Sequence, residues 1–341
     1  MEKILSVIIP SYNSLPYLDK CLGSLVCDVL EKLDVIVVND GSTDGSEKIC
    51  EKYIENYPGS FRLVSKENGG HGSAINAGSK IAVGKYMKVL DADDWFNTKS
   101  LASFVCELEK ATADVVLTCH HTINISTGEV KNWRNYPEEY GREYGLDEVM
   151  DNWKNFDRSL TFHGITYRTD FYKNYAIELS EKVFYEDHEY ATYPCCFAKT
   201  ILPLDLFIYE YRIGDVSQSV SAENQLKRIK HTFIVISRLI KEKSKVTDKG
   251  GIAYVNKKTH LLLLSYLVTT MLCDTDRTRG CARGIRMMRF IEIHSPEVYE
   301  MSVNHFKILK ILNRLGISYE GYQKILDSKI YNKLRHNKSF D

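Results

Sequence analysis

The stretch that decides the fold is Tyr86–Trp95 (YMKVLDADDW), in which an apolar run ends in three carboxylates within four residues. The apolar part, Tyr86–Leu90, has the length and composition of a buried strand. Like charges repel, so Asp91, Asp93 and Asp94 need a cation or hydrogen-bond donors nearby. Carboxylate oxygens suit Mg²⁺ or Mn²⁺, and Mg²⁺ sites commonly combine one or two carboxylates with substrate phosphates. An Asp-rich turn that caps the next helix has the same composition, so this stretch alone leaves both interpretations open.

Strand–loop–helix repeats precede this stretch. The apolar segments Leu5–Ile9 and Asp34–Val38 predict buried strands, and Phe61–Ser65 predicts a third strand. Helical spacing follows the first two strands over Pro16–Val29 and Glu47–Tyr57. Such repeats build a parallel sheet with helices on both faces, and ligands bind outside the carboxyl ends of its strands. We therefore predict an α/β fold with a mostly parallel central sheet and one crevice where the loops converge.

Composition and cysteine usage indicate a globular cytoplasmic protein. The nine cysteines of the 341 residues are scattered and contain no Cys-x-x-Cys pair, which fits reduced thiols rather than a disulfide framework. The apolar run at the N-terminus, before Pro10, is too short for a signal peptide. The longest late apolar run, Leu261–Cys273, is shorter than a membrane span, so we predict a buried helix there.

The charge is divided unevenly along the chain. Residues 1–224 contain 22 Lys and Arg against 35 Asp and Glu, whereas residues 225–341 contain 23 against 10. Such a split indicates two regions with different partners. The acidic part can hold cations, and the basic part can face phosphates, an anionic membrane surface or the acidic part itself. Ordinary solvated helix faces that balance one another also explain the split.

Polar and glycine residues lie at the predicted strand ends. Tyr12 offers a flat face on which a base can stack, and Asp40 can accept hydrogen bonds from a base or ribose. The glycines of Asn68–Gly72 allow a ligand to approach the backbone, and the helix that follows can meet a phosphate. Tyr12 as a packing residue and Asp40 as a helix cap are the structural alternatives. The glycines match neither a P-loop nor a dinucleotide fingerprint, and together with the carboxylates they favour a metal-bound nucleotide diphosphate.

Four motifs together resemble the family 2 glycosyltransferases, in the family's order and spacing: Ser6–Asn13, Val37–Asp44, Glu67–Gly70 with Ala74–Gly78, and Leu90–Asp94. The resemblance implies a GT-A fold, a nucleoside-diphosphate-sugar donor that is most often UDP-linked, a Mn²⁺ or Mg²⁺ cofactor, and inversion at the anomeric carbon. We expect a GT-A domain over residues 1–221, with the donor half in 1–100 and the acceptor half in 101–221. A basic helical region over residues 222–341 follows.

The same resemblance implies a set of residues that contact the nucleotide sugar: Pro10, Tyr12, Asp40, Asn68, Asn76, Asp91 and Arg212. Pro10, Tyr12 and Asp40 would surround the uracil and ribose. Asp91 and Asp93 would form the Asp-x-Asp pair, with Asp93 as the direct metal ligand and Asp91 nearer the ribose or the metal's water shell. We expect Asp94 to cap the helix that begins near Thr98.

An inverting transfer needs a general base on the face opposite the leaving diphosphate. The pair Glu186-Asp187 is similar to the family's Glu-Asp motif, which assigns the base to Asp187; an acidic helix N-terminus is the structural alternative. The segment Tyr211–Ser219 resembles a family loop that closes over the donor. Arg212 within it could pair with the diphosphate, or form a plain surface salt bridge.

The resemblance implies an enzyme whose acceptor is a glycan, a glycoprotein or a lipid-linked intermediate. The Gln-x-x-Arg-Trp signature of processive synthases is absent, so we predict one sugar per encounter. One alternative is a sugar nucleotidyltransferase, but such an enzyme should have a basic, Gly-rich loop after its first strand, and the segment Pro10–Asn13 is not of that kind. The other alternative is a non-catalytic nucleotide-sugar binding protein, which would not need Glu186-Asp187. No nucleic-acid reader motif accompanies the basic charge. Five arginines of the basic region, between Arg277 and Arg289, are expected to contact acceptor, the inner membrane face or a second copy of the chain.

Overall fold

The computed structural model describes residues 2–214 and 222–327, which form two compact units. The first unit contains the described residues up to 214 together with residues 242–255. The second contains residues 222–241 and the chain from 256 onward. The predicted domain boundary after residue 221 stays a prediction; residues 242–255 pack with the first unit.

The first unit is built on one sheet, which has nine strands among the described residues. The strands are β1 (Leu5–Ser11), β2 (Leu33–Asn39), β3 (Phe61–Ser65), β4 (Tyr86–Val89), β5 (Trp95–Phe96), β6 (Val115–Asn124), β7 (Val130–Trp133), β8 (Ile165–Arg168) and β9 (Ile201–Ile213). Their spatial order is β3-β2-β1-β4-β8-β6-β9-β5, and β7 pairs with β6.

Parallel pairing dominates the half of the sheet that comes first in the chain. Strands β3, β2, β1 and β4 are parallel neighbours. Strand β8 is antiparallel to both β4 and β6, and β6 then pairs in parallel with β9 over most of its length. Every residue of β1, β2 and β4 is buried, as expected for strands covered on both faces. The predicted α/β class with a largely parallel sheet is confirmed.

Helices cover both faces of this sheet: α1 (Leu15–Gly23), α2 (Ser46–Asn56), α3 (His71–Ile81), α4 (Thr98–Lys110), α5 (Leu146–Asp151), α6 (Trp153–Phe156), α7 (Thr169–Tyr175) and α8 (Asp187–Thr192). Successive β1 residues enter opposite cores, Ile8 into one, and Val7 and Ile9 into the other. Helix α3 packs so closely on β1 that a Cβ added to Gly78 would lie 2.5 Å from Ile8 Cγ2.

The first helix is shorter than its apolar spacing predicts. It ends at Gly23 instead of continuing to Val29. The hydroxyl of Ser24 donates to the Cys21 carbonyl at 2.6 Å and accepts from the Phe96 backbone N–H at 3.0 Å. The second contact comes from a strand about seventy residues away, so the helix end depends on tertiary packing.

The remaining helices are α9 (Ala222–Lys227), α10 (Ile229–Lys243), α11 (Lys249–Val268), α12 (Arg277–His294), α13 (Pro296–Arg314) and α14 (Tyr319–Asp327). A π-helical turn, Thr269–Cys273, extends α11, and its first four residues are buried. The predicted C-terminal helical region is thereby confirmed. Across residues 2–214 and 222–327, no helix combines the length and apolarity needed to cross a membrane.

Candidate active site

The carboxylate cluster follows β4 directly, at its carboxyl end. Candidate ligand atoms of Asp91, Asp93 and Asp94 all lie within 4.8 Å of one another. The side chains of Asp91 and Asp93 are 27% and 39% exposed, whereas Asp94 as a residue is only 1% exposed. Two of the three carboxylates can therefore meet a ligand from solvent.

Asp94 is held by β9. Its Oδ2 accepts from the Tyr209 hydroxyl at 2.8 Å, and its Oδ1 accepts from the Arg212 backbone N–H at 2.7 Å. The following helix has Asn97 at its N-cap, so the predicted capping role of Asp94 is wrong. Burial, together with the charges of Asp91 and Asp93, raises the pKa of Asp94 well above its usual value. Asp94 thus fastens the carboxylate loop to a strand far away in the sequence.

The electrostatics at Asp93 favour a cation. Burial, followed by repulsion from Asp91, raises the pKa of Asp93 to about 6. Arg212 Nη1 is 3.8 Å from Asp93 Oδ2, and the Arg212 guanidinium lies over the Tyr17 ring at 4.4 Å. Two hard carboxylates that repel each other beside one arginine form a donor set suited to Mg²⁺ or Mn²⁺ with a diphosphate. The residues present therefore fit the metal that the sequence predicts.

His71 links this cluster to a distant acidic segment. Its Nε2 lies 2.8 Å from Asp91 Oδ1, and its Nδ1 lies 2.6 Å from Glu186 Oε1. Burial opposes the charged imidazolium, but the charge of Asp91 and the hydrogen bonds to both carboxylates raise the pKa of His71 well above its usual value. His71 therefore bridges the two carboxylates, with one ring nitrogen facing each of them. In the sequence, His71 is only one residue of the glycine-rich stretch, and no local pattern distinguishes it.

Asp187 is the first residue of α8, and its hydrogen bonding differs from that of the nearby carboxylates Glu186 and Glu189. Glu186 contacts His71, and both carboxylate oxygens of Glu189 accept hydrogen bonds from Ser180. Asp187 Oδ1 is buried and has no hydrogen-bond partner among the residues that the structure describes. An acceptor oxygen without a donor is suited to taking a proton from a hydroxyl group.

Asp40 and Asn68 hold the glycine-rich loop against the end of β2. Asp40 Oδ1 accepts from the Gly69 N–H and from Lys66 Nζ, both at 2.9 Å, and Oδ2 accepts from the Gly70 N–H at 2.7 Å. Asn68 Nδ2 donates to the Asp40 carbonyl at 2.9 Å. In this structure both residues position the loop, and their contact with a nucleotide stays a prediction.

Asn76 joins α3 to the segment that leads to Asp187. Its amide donates to the Leu179 carbonyl at 3.0 Å and accepts from the Leu179 N–H at 2.8 Å. A Cβ on Gly72 would lie 2.5 Å from the Ser180 carbonyl oxygen. Glycine is required at position 72 because the segment around Ser180 comes close to it, whereas the sequence predicts the close approach of a ligand. The predicted nucleotide contact of Asn76 remains untested by these contacts.

The end of β1 presents Tyr12 to solvent. Pro10 is buried within β1, whereas Tyr12 is 55% exposed, so Tyr12 is not a core residue. Asn13 adopts a positive φ of 49°, and its Oδ1 accepts from the Thr43 N–H at 2.9 Å. The loops after β1 and β2 are thereby joined. Of the predicted closing loop over Tyr211–Ser219, the part from residue 215 lies outside the described residues.

Residues 6–174 match the family model described as glycosyl transferase family 2. The glycosyltransferase GlyA of Streptococcus pneumoniae is 32% identical over 124 residues, which are 36% of this chain and 18% of GlyA. The chain matches only 14% to 52% of the length of the first three curated relatives.

Three solved structures, of two proteins, resemble the chain at low identity. Residues 1–349 of Staphylococcus aureus TarS align with a TM-score of 0.64 at 19% identity, covering 99% of this chain and 93% of TarS 1–349. The complex of the same protein with UDP-GlcNAc aligns with a TM-score of 0.62. A mannosyltransferase from Pyrobaculum calidifontis, solved with GDP-Man and Mn²⁺, aligns with a TM-score of 0.51 at 16% identity, covering 92% of this chain and 87% of that one. At these identities the likeness concerns the fold, and the predicted GT-A fold is confirmed.

Proposed function

Because the chain belongs to glycosyl transferase family 2, we propose that it moves a sugar from a nucleoside diphosphate sugar to an acceptor hydroxyl, with inversion at the anomeric carbon. One observation carries the proposal: two accessible carboxylates, Asp91 and Asp93, follow a buried strand. Another carboxylate, Asp187, comes from a different segment and has a buried oxygen to which no described residue donates a hydrogen bond. This division matches a reaction in which the leaving group and the nucleophile lie on opposite faces of the sugar.

The donor half of the proposed site uses the strand ends. Tyr12 would stack on the base, with uridine proposed because the similar TarS protein was solved with UDP-GlcNAc. Pro10, Asp40 and Asn68 would shape the pocket for base and ribose, and Asn76 would support it from α3. Because the chain matches only part of the length of its curated relatives, the identity of the sugar and that of the base both need a direct assay.

Asp93, with Asp91 beside it, would hold Mn²⁺ or Mg²⁺, which when bound stabilises the negative charge that develops on the leaving diphosphate. Arg212, already 3.8 Å from Asp93, would add a positive charge on the same side. His71 would keep Asp91 oriented by holding one of its oxygens at 2.8 Å. Asp94 has both oxygens occupied by β9 and would hold the loop in place.

Asp187 would act as the general base. As the acceptor oxygen forms its bond to the anomeric carbon, the bond from that carbon to the diphosphate breaks, and the hydroxyl proton moves to Asp187. Oδ1 of Asp187 supports this role, because no hydrogen bond from a described residue must be broken for it to accept the proton. We further propose a single transfer per encounter, to a glycan, glycoprotein or lipid-linked acceptor.

The test is a panel of UDP- and GDP-sugars, assayed for transfer and hydrolysis with Mn²⁺, with Mg²⁺ and with EDTA. We compare the wild type with Asp187→Asn and Asp93→Asn, and use Glu138→Gln, an exposed carboxylate on the surface, as the matched control. We expect Asp187→Asn to lower the transfer rate by about 10²–10⁴-fold, because a general base contributes that much. Nucleotide binding by this variant should be unchanged, and EDTA should abolish transfer by the wild type.

Each alternative has its own signature in the same panel. A sugar nucleotidyltransferase would make the nucleotide sugar from a nucleoside triphosphate and a sugar phosphate. A non-catalytic binding protein would bind a nucleotide sugar without turnover in any metal. Full transfer activity in Asp187→Asn would remove that residue from the mechanism, and a long product ladder on one acceptor would refute single transfer.

A further inference from the structure

The second unit contains a cavity of about 550 Å³ that the proposed transfer does not use. Its lining comes from α10, α11 and α12 together with the end of α9. Among the lining residues, Ile229, Tyr266 and Met287 are buried and apolar or aromatic. Phe233 and Phe290 also line it, with ring centroids 5.2 Å apart. The cavity therefore offers an apolar surface large enough for a small molecule, within the usual volume range of ligand sites.

Four cationic side chains line the same cavity: Lys227, Lys230, Arg283 and Arg286. Among the described residues that line it, none is acidic. Arg283 Nη1 does contact Asp274 at 3.1 Å, but Asp274 also binds Arg279 through two hydrogen bonds. Asp274 is therefore shared between two arginines and compensates only part of the positive charge of Arg283.

The cationic and the apolar residues of the cavity lie beside each other at Tyr266. Tyr266, Arg283 and Arg286 all line the cavity, and the charges of both arginines oppose the rise that burial causes in the pKa of the Tyr266 phenol. Tyr266 is only 8% exposed, and its hydroxyl stays protonated at neutral pH. The Tyr266 hydroxyl and the guanidinium groups of Arg283 and Arg286 can donate hydrogen bonds beside a buried apolar surface. This combination is complementary to an anion attached to a hydrocarbon group.

We propose that this cavity binds a phosphate ester that carries an apolar group, with Arg283, Arg286 and Lys230 around the phosphate and Phe233 and Phe290 against the hydrocarbon. Phosphate matches the guanidinium geometry, and each aromatic side chain supplies a large apolar contact area. The net positive charge of residues 225–341 attracts such a ligand from solution. A nucleic acid is a poorer match, because the cations converge on a single cavity and do not follow an extended groove.

The experiment uses the full chain and decyl phosphate as the probe, below the concentration at which it forms micelles. Binding is measured by calorimetry, with inorganic phosphate and decyl maltoside as the anion-only and apolar-only controls. The test variant is the double substitution Lys230→Glu with Arg286→Glu, two exposed residues that line the cavity. The matched control is Arg289→Glu, an exposed arginine of α12 outside the lining.

We expect decyl phosphate to bind the wild type more tightly than either control compound. The double variant should lose at least about tenfold in affinity, because charge-assisted hydrogen bonds to phosphate are lost, and Arg289→Glu should bind like the wild type. Double substitution to alanine, which adds no new charge, should also lower the affinity for decyl phosphate. Circular dichroism checks that each variant is folded. Equal loss in Arg289→Glu, undiminished binding by a folded double variant, or no saturable binding by the wild type would overturn the proposal.

A vesicle-binding experiment distinguishes a phosphate carried by a membrane lipid from one carried by a soluble molecule. Sedimentation with phosphatidylglycerol vesicles, compared with phosphatidylcholine vesicles, measures binding to a membrane-borne phosphate. Loss of phosphatidylglycerol binding in the double variant alone identifies a lipid headgroup as the source. Decyl phosphate binding without vesicle binding identifies a soluble phosphorylated amphiphile. None of these readouts uses sugar transfer, so failure here is distinguishable from failure of the proposed enzymatic function.

Discussion

Lys88 in β4, three residues before the carboxylate cluster, is fully buried. Its Nζ donates to the carbonyl oxygens of His163 and Ile165, at 2.8 and 3.0 Å. No carboxylate of the described chain forms an ion pair with it, and burial lowers its pKa from 10.5 to about 7. A lysine with a depressed pKa destabilises the folded state whenever the unfolded chain binds the proton more strongly.

The sign of the effect follows from the two pKa values. Between pH 7 and pH 10.5 the unfolded state holds more protons on Lys88 than the folded state, so the free energy of unfolding rises with pH. Integrated over these values, Lys88 costs about 4 kcal/mol at pH 7 and about 2 kcal/mol at pH 9. Burial lowers the pKa of His120 to about 3 and that of His163 well below its usual value, so neither titrates in this window.

The perturbation is Lys88→Met, which keeps the length of the side chain and removes the charge. Urea unfolding at pH 7, 8 and 9 gives the free energy of unfolding of variant and wild type. The difference, variant minus wild type, should fall by about 2 kcal/mol from pH 7 to pH 9. Losing the two hydrogen bonds adds a constant offset that leaves this pH dependence unchanged.

The control is Lys85→Met, next to the start of β4, where the ammonium group is exposed and donates to the Glu109 carbonyl. Its stability difference should be the same at all three pH values. Buried tyrosines and cysteines titrate equally in variant and wild type, so they cancel in the difference. A difference for Lys88→Met that does not change between pH 7 and pH 9 would refute the reasoning, because it would mean that the ammonium is charged and solvated in the folded protein.

The remaining predictions concern the candidate site. Tyr209→Phe removes the donor to the buried Asp94 carboxylate, so the free energy of unfolding should fall by about 1–3 kcal/mol in urea unfolding; no change would show that water replaces the hydroxyl. Gly72→Ala places a Cβ 2.5 Å from the Ser180 carbonyl oxygen, so sugar transfer should drop at least about tenfold in the panel assay as the segment before Asp187 shifts. In the control Gly145→Ala the nearest atom is 3.9 Å away, and a loss of transfer as large as that of Gly72→Ala would count against this explanation.

Hydrophobic patterning determined the parallel half of the sheet. The apolar runs of β1, β2 and β4 are buried along their whole length, as their composition predicts, and short loops leave their carboxyl ends on one edge. That placement alone brings Tyr12, Asp40 and the carboxylate cluster to the same edge of the sheet. Burial of apolar side chains is a property that each segment carries by itself, which explains why these elements are predictable.

The sequence by itself thus determined the fold class, the family and the position of the Asp91–Asp94 cluster at a strand end. Only the tertiary structure decided how the three carboxylates differ, with Asp94 bound by Tyr209 from 115 residues away. It likewise joined His71 to Glu186, also 115 residues apart, and left one oxygen of Asp187 without a hydrogen-bond partner among the described residues. Hydrogen-bond partners are chosen by distance in space, and short-range patterns contain no information about which strand will arrive beside a given carboxylate.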